Sequence, residues 1–140
     1  MIRRLLLFMM LSTAALADPA ASPLVGLWLT QDRDGVVAVA PCGNALCVRI
    51  AGSAKDPMPR DWQGRSQCGL QISQVTEHSP GIWQGKITDP RNGNAYDVRM
   101  SAEGNQRLRL HGFVLVPLLG STQVWTRYTG HVTPDCHMAG

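Results

Sequence analysis

Apolar and polar side chains alternate with a period of two along most of the chain. Tyr96, Val98 and Met100 face away from Asp97, Arg99 and Ser101. Leu108 and Leu110 alternate with Arg107, Arg109 and His111. Leu46, Val48 and Ile50 alternate with Cys47 and Arg49, and Trp83 and Ile87 share a face opposite Gln84 and Lys86. One dry face and one wet face is the mark of an antiparallel sheet. Val36 to Ala40 is apolar on both faces and carries no direction. Nothing sustains a helical period; at most a turn of helix is expected near Pro57 to Gln63.

Glycine and proline punctuate this pattern. Turn signals fall at Asp32–Gly35, Gly43–Ala45, Ser79–Gly81, Asp89–Gly93, Glu103–Asn105 and Pro117–Gly120, with one longer connection from Ser53 to Gln67. Seven connections imply eight strands. Eight short strands joined mostly by hairpins predict an all-β, antiparallel up-and-down barrel, which leaves no open edge. A two-sheet sandwich is the alternative.

The N-terminus departs from the pattern. Arg3 and Arg4 precede the apolar run Leu5 to Leu11, and Ala15-Leu16-Ala17 fits a small-x-small cleavage site. Residues 1–17 therefore read as a secretory signal, with a single mature domain over 18–140 and a C-terminal tail from about 129. The apolar stretch Leu5 to Ala17 falls short of the roughly 20 residues of a spanning helix, and no later segment is apolar enough. The full chain of 140 residues has 13 Lys+Arg against 10 Asp+Glu, a formal +3 that invites a nucleic-acid reading. Without residues 1–17, which carry two arginines and no acid, 123 residues remain at a net +1. So weak a field argues against nucleic acid as a partner.

Export implies an oxidising compartment and gives meaning to the four cysteines. Cys42 and Cys47 flank a hairpin turn. If Asn44-Ala45 is that turn, the two form a non-hydrogen-bonded pair close enough to bridge; a four-residue loop gives the same opposition. That leaves Cys68 with Cys136. Nine residues from Arg127 to Cys136 span at most about 30 Å, enough for the tail to run back along a strand. The spacing matches no zinc or redox signature.

Gly26-Leu27-Trp28 in the first strand and Trp125-Thr126-Arg127 in the last resemble the Gly-x-Trp and terminal Arg of lipocalin-type barrels. In a closed meander these strands pair, so the Arg127 guanidinium would lie over the Trp28 indole. From Gly26 to Arg127 the chain is similar to a family of small secreted bacterial proteins consisting of one domain of unknown function. The resemblance rests on Gly26-Leu27-Trp28, Leu46-Cys47, Gly85-Lys86-Ile87 with Asp89–Gly93 and Tyr96, Leu108 to Phe113, and Leu119 to Arg127. It implies a lipocalin-like β-barrel and assigns no activity. The family's middle segment, a short Asn/Asp/Pro-rich helix followed by Arg, is matched only in part by Asp56 to Trp62.

In such a barrel the loops at Asp32–Gly35, Ser53–Gln67, Asp89–Gly93 and Pro117–Gly120 share one end. They bring Arg60, Trp62, Arg65, Asp89, Asn92, Leu118 and Leu119 to the mouth, a common place for ligands. One reading has Trp62 and Leu118-Leu119 covering an apolar ligand while Arg60 or Arg65 meets an anionic group. In the plainer reading Trp62 plugs a small barrel. Asp89, Pro90, Asn92 and Gly93 are what a tight turn requires and are expected to be structural, as are Gly26, Trp28 and Arg127. His78, His111, His131 and His137 fit no metal signature, and no nucleophile or P-loop motif is present.

The expected function is a non-enzymatic module that needs no cofactor. It binds a small apolar or amphipathic ligand among Arg60, Trp62, Trp83, Tyr96 and Trp125. The alternative is an envelope protein with a filled barrel, docking a protein partner through outward Leu27, Leu29 and Tyr128.

Overall fold

The computed structural model describes residues 9–13, 18–113 and 120–139. Most of the expected leader, and the rim residues Leu118 and Leu119, lie outside the described residues. Eight strands form: β1 (Gly26–Leu29), β2 (Gly35–Cys42), β3 (Ala45–Ser53), β4 (Gln71–Ser79), β5 (Ile82–Thr88), β6 (Ala95–Glu103), β7 (Arg107–Phe113) and β8 (Ser121–Arg127). Each pairs antiparallel with the next in sequence, and β8 returns to β1 to close the barrel. The fold is the all-β up-and-down barrel that the alternation implies, with no two-sheet break.

The dry faces meet inside. Trp28, Val37, Val39, Leu46, Val48, Val75, Trp83, Val98, Met100, Leu108, Leu110 and Trp125 form one core with Leu24 of the N-terminal segment. The seam between β1 and β8 is short: Trp28 pairs with Arg127 and Leu29 with Thr126. Past it, the Val124 N–H is satisfied by the Gln31 side-chain oxygen at 2.9 Å rather than by a strand.

The β2–β3 turn differs from the reading centred on Asn44-Ala45. Cys42 lies opposite Ala45, and Ala40 opposite Cys47. Gly43, at φ +67°, supplies the left-handed residue, so the turn centres on Gly43-Asn44 and Ala45 joins the ladder. The Cys42–Cys47 disulfide is therefore diagonal, with Cα atoms 5.8 Å apart. The β3–β4 loop holds no helix at 57–63. It is organised instead by an isolated bridge between Arg60 and Ser66.

Beyond β8 the tail folds into a two-stranded hairpin, β9 (His131–Val132) with β10 (Met138–Ala139). It lies on the outer wall. The Ser53 N–H donates to the Cys136 carbonyl at 2.8 Å. A side chain at Gly52 would run into Val132, Met138 and Val36. Val36 and its cross-strand neighbour Leu29 share that outer face and are buried. Cys136 is bonded to Cys68, which ties the tail to the mouth-end loop.

None of the three residues of the expected outward patch is fully exposed. Leu29 is 9% exposed, Leu27 and Tyr128 are half-buried, and the Tyr128 hydroxyl donates to the His131 carbonyl at 3.2 Å. Among the described residues from 18 onward, Trp62 is the one exposed large apolar side chain, at 42%.

Candidate functional site: an open cavity at the barrel mouth

The closed end is sealed by aromatic residues and one arginine. The Arg127 guanidinium lies 4.0 Å from the centre of the Trp28 ring. It donates to the carbonyls of Val25 (2.7 Å), Pro23 (3.0 Å) and Asn105 (3.0 Å). The Trp28 indole N–H donates to the Leu24 carbonyl at 2.8 Å. Gly26 sits at φ +135°, and a Cβ there would collide with the guanidinium. Glycine, tryptophan and arginine therefore act as one clasp. Trp83 packs at this end too, beside Leu24 and Ala102 around a small cleft.

Towards the mouth the barrel is not filled. A cavity of about 910 Å³ runs from Trp125 and Leu110 past Val98, Ile72 and Ile87 to Tyr96 and Phe113. Its walls are apolar. Its rim carries Asp32, Asp34, Lys55, Arg60, Asp89 and Arg91 from three loops. Gln123 also lines it, its side-chain oxygen held by the Trp125 indole N–H at 3.0 Å. Of the five residues expected to meet a ligand, Arg60, Tyr96 and Trp125 line this space, and Trp62 and Trp83 stand apart from it.

Trp62 belongs to the rim's construction. Its backbone N–H donates to the Pro90 carbonyl at 3.0 Å. Its indole covers Gly93, where a Cβ would come within 2.7 Å of the ring. The β3–β4 loop is thereby fastened to the β5–β6 turn, and the Arg65 guanidinium lies 5.9 Å from the indole centre. Arg60 holds its own loop through a 2.8 Å hydrogen bond to the Gly64 carbonyl.

Asp61, which the sequence reading passed over, organises this loop. Its buried carboxylate accepts from the backbone N–H groups of Gln63 and Arg65 and from Arg65 Nε, each at 2.9 Å. Burial alone would raise its pKa. The hydrogen bonds from Arg65 and Gln63 outweigh that and hold it below the usual carboxylate range. An Asp-x-x-x-Arg spacing beside prolines was the available signal.

The Asp89–Gly93 segment is a turn built as expected. Arg91 forks onto Asp89 at 3.1 and 2.8 Å, Asn92 accepts from the Asn94 N–H at 2.9 Å, and the Gly93 N–H reaches the Asp89 carbonyl at 2.8 Å. The Arg91 side chain holds the Asp89 carboxyl below its ordinary pKa. In turn Asp89, and across the mouth Asp34 and Asp32, raise the pKa of Arg91.

His78 is exposed on β4, His111 meets the Thr122 hydroxyl at 2.8 Å, and His137 lies 3.4 Å from Asp135. Among the described residues no group of three or more His, Cys, Asp or Glu is placed to hold a metal. No described helix is long and apolar enough to cross a membrane.

Three comparisons place the chain among known proteins. A family model described as "Uncharacterized protein conserved in bacteria (DUF2147)" matches residues 26–127. No curated protein matches the sequence. The barrel is similar to the solved structure of protein HP1028 from the human pathogen Helicobacter pylori, described as belonging to the lipocalin family. The TM-score is 0.67 at 16% identity, over 78% of this chain and 85% of that one. At that identity the likeness concerns the fold.

Proposed function

The chain belongs to the DUF2147 family of uncharacterized bacterial proteins, and on that premise we propose that it is a non-enzymatic module holding a small apolar or amphipathic molecule in its barrel. The observation that carries this reading is the cavity of about 910 Å³, apolar in its walls and polar at its rim. Small-molecule sites commonly have that volume and that division of surfaces, and eight-stranded barrels of this type have room for one small ligand. Tyr96 and Trp125 would contact the apolar part and Arg60 the polar end. The leader-like residues 1–17 and the two disulfides support a periplasmic or secreted protein, where a carrier for water-insoluble molecules has a role.

Native mass spectrometry of the protein purified from its own cell envelope tests the reading. A co-purifying small molecule that is absent from an Ile87→Trp variant, whose indole would occupy the cavity, is the expected result. A protein that carries nothing and binds no amphiphile in vitro would overturn it.

A further inference from the structure

The rim charges narrow the chemistry of what enters, taking the cavity's binding role as given. Asp32 and Asp34 stand on the β1–β2 loop, and Lys55 and Arg60 on the β3–β4 loop; all four are exposed and line the opening. The two loops are adjacent, joined by the Ala54 N–H to the Asp34 carbonyl at 2.9 Å. Of the remaining pair at the rim, Arg91 is forked onto Asp89 by a two-pronged contact and also feels Asp34 and Asp32 electrostatically, though it bonds neither. Asp32 and Lys55 make no ion pair among the described residues. Arg60 makes its one side-chain hydrogen bond to a backbone carbonyl, and Asp34 makes its one to the Thr30 hydroxyl at 3.2 Å.

The opening therefore presents two acids and two bases, each sign on its own loop, above an apolar shaft. From Trp125 to Ser121 the wall of the shaft is four residues long. That is about 13 Å along the strand and about 10 Å along the axis of a tilted barrel, the reach of a medium-length alkyl chain. We propose that the cavity takes single-chain amphiphiles whose head group is zwitterionic, with its cationic part at Asp32 and Asp34 and its anionic part at Lys55 and Arg60. A purely anionic head would gain the two bases and be repelled by the two acids, and a purely cationic head the reverse. Only a dipolar head answers both loops.

Titration calorimetry with decylphosphocholine, decyl sulfate and decyltrimethylammonium, each below its micelle concentration, tests this, with phosphocholine alone as a chainless control. The zwitterionic probe should bind about fivefold tighter than either ion, the sum expected of two solvent-exposed ion pairs. That margin should shrink at high salt, and phosphocholine alone should not bind. In Asp32→Asn with Asp34→Asn, near-isosteric changes that keep an acceptor for Thr30, preference should move to decyl sulfate. In Lys55→Gln it should move towards decyltrimethylammonium. Equal affinity for the three decyl probes, or phosphocholine binding as well as its decyl ester, would overturn the head-group assignment. In the first case the cavity reading still stands. Failure of all three decyl probes would overturn both.

Discussion

Gly26 and Arg127 show how a contact that defines the closed end depends on a missing side chain. Alanine at 26 would have to share space with the Arg127 guanidinium at a φ that side chains rarely adopt. Gly26→Ala should cost about 1–3 kcal/mol in chemical denaturation. Gly104→Ala, at φ +64° with nothing within 4 Å of its Cβ, carries the backbone strain alone and should cost less. Equal losses would show that the guanidinium yields. Asp61 makes a different demand, for charge. Its folded pKa lies below the unfolded value near 3.9, so its contribution is complete at neutral pH and lost as pH falls through the folded pKa. Asp61→Asn should reproduce that loss at neutral pH, read as faster tryptic nicking at Arg60 and Arg65. An unchanged cleavage rate would show that the charge is dispensable. The Gly-x-Trp and Arg pair was legible in the sequence because both ends of a closed meander must meet. Asp61 was not, because a carboxylate's worth depends on which N–H groups the loop turns towards it.

Strands were legible for a similar reason: period two survives wherever one face is wet. What alternation cannot say is what lies on the wet face. Leu29 and Val36 sit outside the barrel and are nonetheless buried; at Val36 this follows from Gly52, which lets the tail hairpin approach. A two-residue strand such as His131–Val132 is too short to show any period. The helical turn expected near Pro57 to Gln63 failed because the Asp61 side chain bonds the backbone locally, an alternative to helix that Asp commonly takes. The tail's hold on the wall is reinforced by Cys68–Cys136, which closes a 68-residue separation. Replacing both cysteines by serine should lower stability by roughly 4 kcal/mol on the chain-entropy model. It should also raise the binding of a hydrophobic dye as Val36 and Leu29 become accessible. Loss of stability without added dye binding would mean that the hairpin stays docked unaided.

At the scale of the molecule, whether an eight-stranded barrel is solid or hollow is a question of where its bulk falls. Here Trp28 and Trp83 lie at the closed end, and Ile72, Ile87 and Tyr96 are left to line the mouth. Composition could not place them, since the register that sends each residue to one end comes from the turns. Ile87→Trp should lower the unfolding free energy by no more than about 1–3 kcal/mol, the range of overpacking costs, while abolishing binding of decyl probes. Retained binding would place the probe outside the barrel. The short seam bears on time rather than shape. Seven strand pairings join neighbours in sequence, and the eighth must bring Trp28 to Arg127 across nearly the whole domain. Distant contacts of that kind form late and at an entropic cost. Contacts made after the transition state chiefly govern unfolding. Arg127→Met should therefore speed unfolding about tenfold and leave the folding rate unchanged in stopped-flow experiments; slower folding would place the seam in the nucleus. The lifetime of the closed barrel is then set by two residue pairs at the end away from the entrance.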